Sequence, residues 1–220
     1  MKRILCYGDS NTWGYDPVNI YAETGFHQRY PENLRWPGVM QKELGADYHI
    51  YEHGLGSRTT VFEDPDASGK NGLQYLPIAL DTCDPLDCII FSLGTNDTKD
   101  CFQASEEEIT CGMERLIQCC QKEIQQNNSR HAKIIIACPI VIRLDSKGNF
   151  CIGFSAESAR KGMALRSTYQ ALALRLGCEF IDLNEIATPD IADGIHLSAE
   201  SHRAVGIEMA KCIKKLLSKI

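Results

Sequence analysis

Four short segments of this chain carry residue types that nucleophilic chemistry needs. Gly8-Asp9-Ser10-Asn11 follows the first apolar run. It sets a serine at a strand-to-helix turn, with its hydroxyl exposed and its N–H pointing outward ahead of a helix N-terminus. A hydroxyl is a weak nucleophile until a base takes its proton, and an imidazole base needs a carboxylate to fix its tautomer. Asp193-Gly194-Ile195-His196 supplies that pair, three residues apart in a turn before the last helix. Gly94-Thr95-Asn96-Asp97 ends another apolar run and offers a side-chain amide able to donate to an oxyanion. Gly54-Leu55-Gly56-Ser57-Arg58-Thr59 follows a further strand and can turn a backbone N–H toward the same point. Taken alone, each has an ordinary structural explanation: an N-cap serine, an incidental histidine in a helix-start loop, an Asn-Asp turn. Their common position past the ends of strands is what sets them apart.

The elements that must position them are readable as an alternation. Short, nearly all-apolar runs at residues 4–7, 48–51, 87–93, 133–138 and 179–183 predict parallel strands covered on both faces. Longer stretches at 38–44, 73–80, 105–126, 156–176 and 198–217 predict helices between them. The third opens on Ser105-Glu106-Glu107-Glu108, a capping-box pattern, and the last on the N-cap Ser198. This order gives an α/β fold, a doubly wound parallel five-stranded sheet with helices on both faces, in one domain over residues 1–220. Ligands of such a sheet sit at the carboxyl ends of its strands. The four segments therefore converge there. Two connections are longer than usual: residues 15–37, rich in aromatics and proline, and 141–154, with the turn-forming Asp145-Ser146-Lys147-Gly148-Asn149.

The four segments resemble the conserved blocks of the SGNH (GDSL-type) hydrolases, in the right order and over nearly the whole chain. Trp13-Gly14, Arg35-Trp36, Gly45-Ala46-Asp47, Arg58-Thr59-Thr60 and Leu93-Gly94-Thr95-Asn96-Asp97-Thr98-Lys99 are similar to the arylesterase/acyltransferase branch. The resemblance implies Ser10 as nucleophile and Asp193 and His196 as the rest of a triad. It implies an oxyanion hole from Ser10, Ser57 and Asn96, a flavodoxin-like sheet and no cofactor. The implied reaction is hydrolysis of short-chain or aryl carboxylic esters, with acyl transfer to alcohols in some members. A carbohydrate O-deacetylase or a thioesterase is the alternative. The first block reads GDSN rather than GDSL. In the second, Ser57 stands where the family usually has glycine; any non-proline residue keeps the N–H if its backbone angles allow, and Gly56 is the fallback donor. Trp13 and Phe154 are candidate pocket walls, with plain packing as their other explanation.

Other chemistries find less support. Gly153-Phe154-Ser155-Ala156-Glu157 lacks the final glycine of a nucleophile elbow. His196, His202, Asp190 and Asp193 could form part of a metal cluster, but no second block supplies matching ligands. A phosphate-binding module built on the turn at residues 8–12 would leave the Asp193–His196 pair unused. A net charge of −6 without a basic stripe argues against nucleic acid or an anionic membrane as partner. The 11 cysteines, odd in number and lacking a CxxC pair, read as reduced core thiols. With no apolar leader at the amino terminus, a cytoplasmic location is expected. The 15–37 segment is expected to narrow the site's mouth or, as in the resembling branch, to join subunits of a homo-oligomer.

Overall fold

The computed structural model describes residues 1–20 and 27–218. Five parallel strands form the central sheet: β1 (Lys2–Gly8), β4 (Tyr48–Gly54), β5 (Cys88–Ser92), β6 (Lys133–Cys138) and β7 (Glu179–Asp182), in the order β4-β1-β5-β6-β7. The second of these in sequence lies outside the first. The strand order therefore reverses between β1 and β5, and the crevice that binds ligands opens there. The register sets Gly8 beside both Gly54 and Ser92, so three strands end level on this edge.

Alternation along buried strands feeds two cores. On one face Leu5, Tyr7, Ile89, Phe91, Ile134 and Ile136 pack beneath α3 (Gly72–Cys83), α4 (Glu106–Ile124) and α5 (Ala156–Leu176). On the other, Ile4, Cys6, Cys88, Ile90 and Ile135 pack beneath α2 (Trp36–Leu44) and α6 (Ala199–Leu217). Gly206 lets α2 and α6 touch closely: a Cβ there would lie 2.7 Å from the Trp36 carbonyl oxygen. The capping box of α4 forms as expected, with Ser105 accepting from the Glu108 N–H and the Glu108 carboxylate accepting from the Ser105 N–H. Ser198 caps α6 by accepting from Ser201. All the cysteines are free thiols; Cys6, Cys83, Cys88, Cys120 and Cys138 are buried, while Cys101 and Cys111 are exposed rather than in the core. No helix among the described residues is long and apolar enough to cross a membrane.

The structure departs from the sequence expectation mainly between β1 and β4. A four-residue helix, α1 (Ser10–Trp13), follows Ser10's turn; it is too short to show a period. The segment 15–37, expected as one long connection, contains an antiparallel pair, β2 (Tyr15–Ile20) and β3 (His27–Arg29), with residues 21–26 outside the described residues. Helix α2 starts at Trp36, two residues earlier than expected, because Pro37 fits the first helical turn, where its missing N–H costs nothing. The 141–154 connection forms the expected turn, in which the Asp145 carboxylate accepts from the N–H groups of Lys147 and Asn149.

Helix α1 rests directly on the end of β4. A Cβ on Gly54 would lie 2.0 Å from the Trp13 nitrogen and 2.5 Å from the Thr12 carbonyl carbon. Gly54→Ala should therefore lower unfolding free energy by about 1–3 kcal/mol, the usual cost of overpacking. Denaturant melts measure it; an unchanged midpoint would mean that α1 can shift freely and does not rely on this contact.

Candidate active site

Ser10 begins α1 at the end of β1, and Asp9 shapes the turn by capping the helix: its carboxylate accepts from the Asn11 N–H at 2.9 Å. That carboxylate takes the Asn11 N–H, which leaves the turn at residues 8–12 one donor fewer to offer an anion. The Ser10 hydroxyl stands 2.9 Å from His196 Nε2, and His196 Nδ1 stands 2.6 Å from Asp193 Oδ2. Asp193 Oδ1 accepts from the N–H groups of Ile195 and His196, both at 2.9 Å. Burial works to raise the Asp193 carboxyl, but the His196 ring and these N–H bonds outweigh it and hold the group below its ordinary value. An ionised Asp193 can only accept. Nδ1 therefore carries the proton, and the lone pair of Nε2 faces the Ser10 hydroxyl.

The loop bearing His196 leaves β7, at the far edge of the sheet. It must cross three strand spacings, about 14 Å, to reach β1. Asn11 anchors it on arrival. The Asn11 side chain donates to the Ile195 carbonyl at 3.3 Å and accepts from the Leu197 N–H at 2.8 Å, clamping the backbone on both sides of His196. The Tyr15 ring stacks on the His196 imidazole, with centroids 4.0 Å apart and planes 22° apart. His202, by contrast, is buried elsewhere, accepts from the Trp36 N–H at Nδ1, and is pushed by burial down to about 3, so it stays neutral. Among the described residues no group of three His, Cys, Asp or Glu side chains comes together to hold a metal ion.

Ser57 and Asn96 reach the same place from β4 and β5. Ser57 has φ +63°, the left-handed region that favours glycine, at a cost of roughly 1–2 kcal/mol for an L-residue. The N–H groups of Ser10 and Ser57 make no hydrogen bond among the described residues, and both residues line one cavity. Asn96 Nδ2 donates to the Arg58 carbonyl at 3.1 Å, which fixes the amide plane and leaves its second hydrogen unused. Arg58 in turn donates from Nη1 to the Gly8 carbonyl at 2.8 Å and to that of His53, and its guanidinium lies 4.2 Å from the Tyr7 ring centroid. Asp97 binds the two loops together, accepting from both the N–H and the hydroxyl of Thr60.

These residues open on a cavity of about 510 Å³ lined by Ser10, Trp13, Tyr15, Ser57, Asn96 and His196, with Gly56 and Phe154 also on its wall. Every site residue expected from the sequence is thus on this one cavity except Asp193, which stands behind His196. Sequence reasoning missed Asn11, Tyr15, Arg58 and Asp97 as supports. Asn11 carries no signal of its own in the sequence, because its partners, Ile195 and Leu197, lie 184 and 186 positions away.

Solved structures with similar folds include the native aryl esterase of M. smegmatis, 34% identical, covering 98% of this chain and 100% of that one, with a TM-score of 0.91. A carbohydrate acetylesterase from Sinorhizobium meliloti is 36% identical over 98% of this chain and 100% of that one, with a TM-score of 0.88. No functionally curated protein matches. The model of the GDSL-like lipase/acylhydrolase family matches residues 6–204, so the chain belongs to that family.

Two outcomes follow from the supports. Asn11→Ala strands the Leu197 N–H and the Ile195 carbonyl, costing about 1–3 kcal/mol of stability. It should also lower kcat about tenfold or more with little change in KM, because it loosens His196 rather than the substrate. Steady-state kinetics on a protein shown folded by circular dichroism tests this, and a pure KM effect would contradict it. Burial raises the Asp97 carboxyl to about 6, against the bonds from Thr60 and helped by the charge of Asp9. A carboxyl raised on folding binds more protons in the native state, so its stabilising contribution is full below pH 4 and lost as pH rises through 6. The stability difference between Asp97→Asn and the parent should therefore shift toward the variant by about 1–3 kcal/mol between pH 4 and 7. Denaturant melts across that range measure it; a difference independent of pH would rule the raised carboxyl out.

Proposed function

We propose that this member of the GDSL-like lipase/acylhydrolase family hydrolyses small carboxylic esters through an acyl-enzyme, with Ser10 as nucleophile and His196 as base. The observation that carries the reading is the unbroken chain from Ser10 Oγ to His196 Nε2 at 2.9 Å and from His196 Nδ1 to Asp193 at 2.6 Å. In the first half, Ser10 Oγ attacks the ester carbonyl carbon as its proton passes to Nε2. The carbonyl oxygen becomes an oxyanion, received by the N–H groups of Ser10 and Ser57 and the Nδ2 of Asn96. Collapse breaks the bond to the alcohol oxygen, which leaves with the proton from Nε2. In the second half a water gives its proton to Nε2 and attacks the acyl-serine. The acid departs and the proton returns to Ser10. An alcohol in place of that water gives acyl transfer through the same steps. Asp193 holds the imidazole tautomer and stabilises the imidazolium; it does not itself take the proton.

The aromatic walls, Trp13, Tyr15 and Phe154, suit a compact acyl or aryl group. Acetylated sugars are the second reading, favoured by the likeness to the carbohydrate acetylesterase. A panel of 4-nitrophenyl esters of increasing chain length beside acetylated xylose separates the two by kcat/KM.

Ser10→Ala removes the nucleophile and should lower kcat by several orders of magnitude, leaving only oxyanion and binding effects. A fluorophosphonate probe should label the parent at Ser10 and leave the variant unlabelled. An alanine variant that keeps a tenth of the parent's esterase activity would rule out the assignment.

A further inference from the structure

We infer that the cavity selects esters whose acyl chain ends in an anionic group, a carboxylate being the simplest, with the Lys70 ammonium as its reader. This rests on the ester-hydrolase reading above and deepens it. The cavity wall carries two lysines, Lys70 and Lys99, and no aspartate or glutamate. Lys99 is neutralised: its ammonium stands 2.7 Å from the buried carboxylate of Asp64. Lys70 lowers the Asp64 carboxyl from a distance but makes no ion pair or side-chain hydrogen bond among the described residues. Within this group two ammoniums thus face one carboxylate, which leaves a positive charge on the cavity wall of a molecule whose overall charge is −6. Low-dielectric walls focus such a field inward, which draws an anion toward the lysine.

The fold assigns this charge to the acyl side. The Lys70 carbonyl accepts from the Thr59 N–H at 3.0 Å, and a β-bridge joins Thr59 to Asn71, so Lys70 travels with the loop that carries Ser57. His196 approaches from the other direction, on the loop after β7, and the departing alcohol must lie against its Nε2 to receive a proton. The chain that does not leave is the one that can extend past Ser57 toward Lys70. Leu55, Ile152 and Phe154, which also line the cavity, offer its methylenes apolar contact.

Paired esters test this. One pair is the 4-nitrophenyl monoester of adipic acid against its neutral methyl diester, which places the charge on the acyl side. The other is 4-acetoxybenzoate against its methyl ester, which places the charge on the alcohol. The readout is the ratio of kcat/KM for the charged ester to that for its neutral partner. For the adipate pair the ratio should exceed one at low salt and fall as salt screens it. It should drop about tenfold in Lys70→Met, the effect of losing one charge-assisted contact, and return in Lys70→Arg. An adipate ratio at or below one, or one that Lys70→Met leaves unchanged, overturns the proposal. A lysine effect confined to 4-acetoxybenzoate overturns the acyl-side assignment. Parent protein that hydrolyses neither neutral ester and resists the fluorophosphonate overturns the hydrolase reading and this one with it.

Discussion

One 2.9 Å hydrogen bond joins Ser10 to His196 across 186 residues of sequence, and the rest of the site exists to hold its two ends still. A sheet of order β4-β1-β5-β6-β7 ends three strands level beside Ser10, which brings Ser57 and Asn96 within reach. His196 has no such neighbour, because its strand is at the far edge. It depends on a long loop, and that loop depends on the Asn11 clamp, the Asp193 turn and the stacked Tyr15 ring.

Holding polar groups in place at the edge of an apolar sheet has a thermodynamic cost. Asp9 and Asp97 are fully buried, and burial raises both carboxyls to about 6. Asp97 Oδ2 and Arg58 Nε are buried without a hydrogen-bond partner. Ser57 sits in the left-handed region without glycine's freedom. Each would be an error in a protein selected for stability alone, and all of them lie within the support of one cavity. The two apolar cores supply the stability that this arrangement consumes.

The parts legible in the sequence were those governed by repetition or by local chemistry. Buried parallel strands read as apolar runs, α5 was recovered over its full extent, and the capping box at Ser105 was visible from three glutamates after a serine. Ser10, Asn96 and His196 were legible because segments that each have an ordinary explanation alone share one position past the ends of strands, and the cavity gathers them. The supports were not, since each acts through a partner remote in sequence. Asn11 looks like a surface polar residue until Ile195 and Leu197 arrive, 184 and 186 positions later. Asp97 looks like part of a turn until Thr60 is beside it. Helix α1 and the β2–β3 pair are too short for periodicity to reveal.

The same separation between Ser10 and His196 has a consequence during synthesis. A ribosome adding roughly 5–20 residues per second delivers Ser10 about 10–40 s before His196. Through that interval Ser10 stands without His196, and for most of it β7 has yet to be made at the edge of the sheet. On the proposed reading, the Ser10 hydroxyl has no imidazole to take its proton until the loop and α6 dock. The 186-residue separation thus acts as a clock, leaving the contact between Ser10 and His196 among the last that the fold can make.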